Sequence, residues 1–133
     1  MSESLASRIL IADDQGQLRD RVVSLLTDFQ VVGTTTNGKD LVTEALRLQP
    51  DVIVSDITMP MLTGIDAAHE LRRVGSTVKF VFLTVHREEE FVHACFAEGA
   101  LGYVMKLRLR TDLIPAIKEA LSGHYFISPG IAD

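Results

Sequence analysis

The sequence has almost no cysteine and no long hydrophobic segment, and these absences exclude several classes of protein. The one cysteine, Cys95, cannot form an internal disulfide and matches no metal-site spacing. We expect it to be a buried thiol on a helix. No apolar run approaches the roughly 18 residues that a membrane span needs, and the first residues lack the basic and apolar regions of a signal peptide. We therefore expect a cytoplasmic protein that does not contact a membrane.

The chain also lacks the positive charge of a general nucleic-acid binder. It has 13 Lys and Arg against 18 Asp and Glu, a net charge of −5, which argues against broad electrostatic binding to nucleic acid or anionic lipid. Its 133 residues, 47% hydrophobic and 23% charged, have the size and composition of one globular domain. We predict an N-terminal extension at 1–7, the domain at 8–124, and the start of a linker or tail at 125–133.

There is no internal repeat or low-complexity segment; instead, short apolar runs alternate with amphipathic stretches. The strand-like runs lie at 8–13, 30–36, 51–56, 78–85 and 101–106. The helix-like stretches lie at 16–29, 39–49, 65–74, 88–99 and 111–123, the last with Thr111 as its expected N-cap and Pro115 in its first turn. This alternation predicts a parallel sheet covered on both faces. The expected fold is a flavodoxin-like (βα)5 doubly wound α/β sandwich with five parallel strands in the order 2-1-3-4-5.

Four of the five predicted strands end in a charged or hydroxyl side chain. Asp13 and Asp14 follow the first strand, Asp56 ends the third, Thr84 lies at the end of the fourth and Lys106 ends the fifth. The carboxyl ends of parallel strands form one edge of the sheet, and ligands bind there at a topological switch point. In the order 2-1-3-4-5, the first and third strands flank that point, so the three aspartates would share one pocket.

Three carboxylates in one pocket repel one another, by about 4 kcal/mol for each pair at 4 Å and an effective dielectric near 20. Either some are protonated or a cation is present. Oxygen ligands in a partly open site suit Mg²⁺. With Asp56 as the nucleophile, Mg²⁺ held by Asp13, Asp14 and Asp56, and Lys106 and Thr84 orienting the remaining oxygens, the set is suited to phosphoryl transfer onto a carboxylate.

These residues, in this order and spacing, resemble the receiver domain of two-component response regulators over about residues 7–126. The matching pieces are the acidic pair after the first strand, the segment SDITMPMLTG with its Pro60 and Gly64, Thr84, and the lysine of GYVMK. The segments DDQGQLRDR and AIKEALSGHYFISP are most similar to the NarL/LuxR-type branch. Members of that branch are usually transcription regulators.

The resemblance implies a signalling role rather than that of an enzyme. A sensor histidine kinase would donate the phosphoryl group to Asp56, Mg²⁺ would be the cofactor, and the backbone carbonyl of Thr58 would complete the metal site. Tyr103 would be the switch aromatic, turning inward as Thr84 moves toward the phosphoryl group. The resemblance allows a homodimer and implies contact with DNA only through a C-terminal domain absent from this chain. We therefore expect an excised domain rather than a stand-alone receiver.

Some residues depart from the pattern of the family. Leu107 follows the lysine where many receivers carry a proline, so we expect no cis peptide bond there and a more mobile loop. Val85 replaces a smaller residue and is expected to narrow access to the phosphoryl group. His86, near the expected pocket rim, is a candidate for influencing hydrolysis of the acyl phosphate. We expect His69 and His93 to be surface or satisfied histidines rather than metal ligands, because their spacing fits no metal site.

Other interpretations of the same residues remain. A haloacid-dehalogenase-type phosphatase needs a second aspartate where this chain has Thr58, and a dinucleotide-binding domain needs a Gly-x-Gly-x-x-Gly segment that is absent after the first strand. A phosphorylation-independent pseudo-receiver acting as a docking domain is the main alternative, favoured only by Val85 and Leu107. Asp14 could serve as a helix cap, and Tyr103 is equally compatible with a core tyrosine.

Overall fold

The computed structural model describes residues 6–131, in which strands and helices alternate as the sequence predicts. The strands are β1 (Arg8–Ala12), β2 (Gln30–Thr35), β3 (Val52–Ser55), β4 (Lys79–Thr84), β5 (Gly102–Met105) and β6 (Phe126–Ile127). The α-helices are α1 (Gly16–Leu25), α2 (Gly38–Leu48), α3 (Gly64–Arg73), α4 (Glu89–Ala97) and α5 (Leu109–Leu121). A single 3₁₀ turn, Lys106–Arg108, joins β5 to α5.

The strands form one parallel sheet in the order β2-β1-β3-β4-β5-β6. The predicted order 2-1-3-4-5 is confirmed, and the sheet gains a sixth strand that was not predicted. In the central pair, Ala12 of β1 lies opposite Ser55 of β3. The residues that follow these two, Asp13 and Asp56, therefore leave the sheet side by side at its carboxyl edge.

The sheet separates two apolar cores, which explains why its strands read as continuous apolar runs. Side chains alternate between the two faces of a strand. In β4, Phe80 and Phe82 pack toward α2, α3 and α4, while Val81 and Leu83 pack toward α1 and α5. Because both faces are covered, both sets of positions must be apolar.

Helix ends follow capping chemistry where the sequence provides it. The side chain of Asn37 accepts a hydrogen bond from the Asp40 amide at the start of α2, and the Thr63 hydroxyl accepts one from the Asp66 amide at the start of α3. Close packing also fixes where α3 begins. A Cβ added to Gly64 would lie 2.1 Å from the Asp56 carbonyl oxygen, so the helix can start this close to β3 only with glycine.

Helix boundaries differ from the prediction by one to four residues, and two of these differences have a clear structural cause. The helix predicted at 16–29 ends at Leu25, because Leu26 adopts a non-helical conformation and continues as a turn that leads into β2, although its side chain remains buried. The last helix begins at Leu109 rather than after an N-cap at Thr111, because the 3₁₀ turn runs directly into it. Pro115 therefore lies beyond the first turn, within a helix that Leu109 and Leu113 anchor in the core.

The segment after α5 continues the sheet. Phe126 pairs with Gly102 and Ile127 with Tyr103, so β6 covers the edge that β5 would otherwise expose. This strand lies inside the stretch 125–133 that was expected to begin a linker. The predicted extension at 1–7 and the end of that stretch lie partly outside the described residues, at 1–5 and 132–133. Among the helices of residues 6–131, none has the length and apolar character needed to cross a bilayer.

Candidate functional site

Asp13, Asp14 and Asp56 come together at the carboxyl edge of β1 and β3. One carboxylate oxygen of each lies within 4.8 Å of the others. Asp13 and Asp56 are only 3% and 5% exposed, whereas Asp14 is exposed. Two carboxylates of the cluster are therefore buried in the protein, and the third is open to solvent.

Lys106 places its ammonium group between the two buried carboxylates. Its Nζ lies 2.9 Å from Asp56 Oδ2 and 3.4 Å from Asp13 Oδ2. A third neighbour, Gln15 Oε1, lies 3.3 Å away. Gln15 was not predicted to be part of the site, because an exposed glutamine after two aspartates gives no signal of a contact 91 residues along the chain. One lysine offsets only part of the negative charge of the cluster.

Both carboxylate oxygens of Asp56 are held by hydrogen bonds. Oδ1 accepts from the Ile57 amide at 2.7 Å and lies 3.4 Å from the Thr58 amide, while Oδ2 accepts from Lys106. The chain behind the carboxylate is fixed as well, since the Ser55 hydroxyl donates to the Asp56 carbonyl at 2.7 Å. The orientation of the carboxylate is thus set by a backbone amide on one oxygen and by the Lys106 side chain on the other.

Asp13 has a buried carboxylate oxygen that the protein satisfies only weakly. Its Oδ1 accepts from the Gln15 amide at 2.8 Å, whereas Oδ2 lies 3.4 Å from Lys106 Nζ and makes no hydrogen bond of good geometry within residues 6–131. Burial raises the pKa of Asp13, and the negative charge of Asp56 adds to this, while the Gln15 amide and Lys106 oppose it. A buried carboxylate oxygen with only this distant partner, in a cluster of oxygen ligands, fits a hard divalent cation such as Mg²⁺.

Thr84 and Tyr103 both contact the backbone of His86. Thr84, at the end of β4, is fully buried and its Oγ1 accepts from the His86 amide at 3.0 Å. The Tyr103 ring is fully buried and its hydroxyl donates to the His86 carbonyl at 2.7 Å. Burial raises the pKa of Tyr103. The buried ring is that of a core tyrosine, and its bond to the β4–α4 loop is compatible with the switch role, which stays a prediction.

The rim of the site contains one contact that the sequence did not predict. Thr58 is exposed, and its Oγ1 lies 3.0 Å from His86 Nε2, which joins the loop after β3 to the loop after β4. The His86 ring stacks on Phe91 with centroids 4.1 Å apart. Val85 is 62% exposed and Leu107 is 91% exposed, so both side chains lie on the surface of the rim. All peptide bonds in the described range are trans, in agreement with the expectation at Leu107.

The remaining candidates lie away from this site. His69 is exposed on α3 beside Glu98, and His93 is exposed on α4 beside Glu89. Within residues 6–131, the aspartate cluster is the one group of potential metal ligands, and it includes neither histidine. Cys95 is fully buried, as predicted, and burial raises the pKa of its thiol to about 12.

The family model of the response regulator receiver domain matches residues 9–118, which is most of the chain. The chain belongs to the response-regulator receiver family. This receiver is similar to the response regulator GacA of Pseudomonas viridiflava, at 34% identity over 95% of this chain and 60% of that protein. It is also similar to the uncharacterized transcriptional regulatory protein YxjL of Bacillus subtilis, at 37% identity over 87% of this chain and 55% of that protein.

Solved structures agree with the assignment of the receiver to the NarL/LuxR-type branch. A two-component response regulator of the LuxR family from Aurantimonas sp. SI85-9A1 superimposes with a TM-score of 0.88 at 28% identity, covering 93% of this chain and 91% of that one. The receiver spans little more than half the length of the two curated relatives, GacA and YxjL. What those whole proteins regulate is therefore a matter of proposal for this chain.

Proposed function

We propose that this receiver accepts a phosphoryl group on Asp56 from a sensor histidine kinase in a Mg²⁺-dependent reaction. The observation that carries the proposal is the position of the Asp56 carboxylate, held by Lys106 and a backbone amide at an open sheet edge beside Asp13 and Asp14. The output is regulation of transcription through a DNA-binding domain outside this chain. The sequence similarity to GacA and to the transcriptional regulatory protein YxjL supports this output.

In the proposed reaction, a carboxylate oxygen of Asp56 attacks the phosphorus of the phosphohistidine. A P–O bond forms and the P–N bond breaks; the imidazole nitrogen takes the electron pair and a proton from solvent. Lys106, already 2.9 Å from Asp56 Oδ2, neutralises the charge that arrives with the phosphoryl oxygens. The Thr84 hydroxyl accepts from the His86 amide, and it would donate its own proton to a phosphoryl oxygen.

The residues that would hold Mg²⁺ are Asp13, Asp14 and Asp56, together with the backbone carbonyl of Thr58. The bound ion would supply positive charge that offsets repulsion between the carboxylates and the incoming phosphoryl oxygens. Asp13 must be ionised to act as a ligand, and its raised pKa means that it gives up its proton less readily than an ordinary carboxyl group.

The switch would act through the β4–α4 loop. Thr84 and Tyr103 both bond to the backbone of His86, so a movement of Thr84 toward a phosphoryl group displaces the partner of the Tyr103 hydroxyl. This would change the populations of two surface states around α4, β5 and α5. We place the reaction in the cytoplasm, where response regulators generally act, and include a second copy of the chain among the partners that the changed surface could bind.

Intact-mass spectrometry after incubation with acetyl phosphate tests the proposal. The wild type should gain a single phosphoryl adduct with Mg²⁺ and none with EDTA. Asp56→Asn should gain none, while Asp20→Asn, which alters an exposed aspartate of α1, should react as the wild type does. Absence of an adduct on folded protein in the presence of Mg²⁺ would refute the proposal and favour the pseudo-receiver that acts only as a docking domain.

A further inference from the structure

The tail after α5 approaches the turn that carries Lys106. The Phe126 amide donates to the Leu101 carbonyl at 2.8 Å, and the Ser128 amide donates to the Tyr103 carbonyl at 2.9 Å. The hydrogen-bond ladder between the tail and β5 therefore continues past the two residues of β6. It brings Ser128 alongside the last residue of β5, Met105, which directly precedes Lys106.

The side chain of Ser128 continues the contact that its backbone begins. Its Oγ accepts from the Met105 amide at 3.0 Å and donates to Asp112 Oδ2 at 2.6 Å. Ser128 is 1% exposed and Asp112 is 4% exposed, so water cannot readily replace either hydrogen bond. The hydroxyl thus links the end of β5 to a carboxylate on α5.

Asp112 in turn binds the other side of the Lys106 turn. Its Oδ2 accepts from Arg108 Nε at 2.7 Å. Burial alone would raise the pKa of Asp112, but the hydrogen bonds from Arg108, Ser128 and Thr111 outweigh it and lower the pKa, so the group is a carboxylate at neutral pH. Asp112 and Ser128 together hold Met105 before Lys106 and Arg108 after it.

The Lys106 turn has little support of its own. It is a three-residue 3₁₀ turn, a conformation with poorer hydrogen-bond geometry than an α-helix. The next residue, Leu107, is 91% exposed and contributes no packing to the core. The position of the Lys106 ammonium group relative to Asp56 therefore depends on how the flanking residues are held.

We propose that Asp112 and Ser128 are positioning residues for Lys106. The tail, as far as Ser128, would then contribute to the function of the phosphoacceptor site. The proposal rests on the proposed function, because it assigns a supporting role to the lysine of that site. It extends the functional unit past residue 118, where the match to the family model ends, and past the boundary at 124 that the sequence suggested.

The consequence of losing Ser128 follows from what would be left unpaired. Ser128→Ala removes the partner of the Met105 amide and one partner of the Asp112 carboxylate, both in a buried setting. The turn can then relax, and Lys106 loses its fixed position beside Asp56. Misplacement of a reacting group by about 1 Å can cost on the order of 100-fold in rate, so a loss of about tenfold or more is expected for this indirect effect.

The experiment compares rates of adduct formation from acetyl phosphate at saturating Mg²⁺, by intact mass, in four forms of the full chain. Ser128→Ala should be slowed about tenfold or more, and Ser128→Thr, which keeps the hydroxyl, should recover most of the rate. The matched control is Ile131→Ala, which removes another buried tail side chain that has no bond to the Lys106 turn. Ile131→Ala should lower the unfolding midpoint yet keep the rate of the wild type.

Each outcome decides between distinct conclusions. A wild type that gains no adduct refutes the proposed function itself. If the wild type reacts and Ser128→Ala reacts equally fast, or if Ile131→Ala is slowed as much as Ser128→Ala, the positioning role is wrong. If Ser128→Ala does not fold, Asp112→Asn takes its place, since it keeps an oxygen for the Ser128 hydroxyl but loses the charge that holds Arg108; a rate equal to that of the wild type would then overturn the proposal.

Discussion

Magnesium should stabilise this receiver against heat, because its acidic cluster is incompletely neutralised. A pair of unit charges no more than 4.8 Å apart, such as those on Asp13 and Asp56, repels by about 3.5 kcal/mol or more at an effective dielectric of 20. Lys106 offsets part of this repulsion, yet its Nζ lies 3.4 Å from the buried Oδ2 of Asp13, which makes no hydrogen bond of good geometry among the described residues. A divalent cation would supply both the missing positive charge and a closer partner for this oxygen.

The size of the effect follows from binding linkage. A ligand that binds only the folded state at 100 times its dissociation constant adds about 2.7 kcal/mol of stability. For a domain of 133 residues, this corresponds to a rise in the unfolding midpoint of about 10 °C. Differential scanning calorimetry across a MgCl₂ titration measures the rise, with NaCl at equal ionic strength as the control for screening.

Asp13→Asn separates the effect of the cluster from general effects of salt. Because burial raises the pKa of Asp13, the metal-free fold favours its neutral form, and that contribution to stability is lost as the pH rises through the raised pKa. A neutral asparagine should therefore leave the metal-free midpoint at neutral pH equal or higher, while abolishing most of the Mg²⁺-dependent rise. Asp20→Asn should retain the full rise. A wild type that shows no rise, or Asp13→Asn with an undiminished rise, would refute the reasoning.

Three further predictions concern groups around the site. Cys95, whose thiol pKa is raised to about 12, should resist alkylation by iodoacetamide at pH 8 in the folded protein and react fully in urea; rapid labelling of the folded form would contradict its burial. Asp112→Asn should cost about 1–3 kcal/mol of unfolding free energy at pH 7. Since the pKa of Asp112 is lowered in the folded state, the difference from the wild type should shrink as the pH falls through that pKa. Urea titrations at several pH values measure the difference, and a difference that stays constant with pH would contradict the prediction. His86→Ala removes the contact with Thr58 that joins two loops at the rim of the site, so water should reach the phosphoryl group on Asp56 more easily and its loss should be faster. Intact-mass spectrometry after removal of the donor measures the loss. An unchanged or slower loss would show that this contact does not restrict water.

The central geometry of the site could be predicted from the sequence because it depends on backbone placement. The order of the strands brings β1 beside β3, and the residue that follows each strand must emerge at the same edge, as Asp13 and Asp56 do. Lys106 reaches the same edge from β5 because a lysine side chain is long enough to span the distance. None of this needs knowledge of side-chain conformations.

Contacts that depend on side-chain conformation or on tertiary packing could not be predicted. The pairing of Thr58 with His86 joins two loops of different strands, and nothing in either segment indicates it. The strand Phe126–Ile127 is too short to show a periodic pattern, and it exists because β5 offers an unpaired edge. Its aromatic and β-branched residues were the one available signal.

Strand β5 is the element through which the site, the switch and the tail meet. The Tyr103 hydroxyl bonds to the β4–α4 loop, the Tyr103 carbonyl bonds to Ser128, and the strand ends beside Lys106. Coupling between two sites is reciprocal in free energy. If Ser128 supports Lys106 as proposed, a phosphoryl group on Asp56 must alter the free energy of detaching the tail, and a partner that pulls the tail away must alter the stability of the phosphorylated form by the same amount. Hydrogen exchange of the Met105 amide, with and without the adduct, measures the first of these quantities; identical protection in both states would show that β5 does not couple the site to the tail.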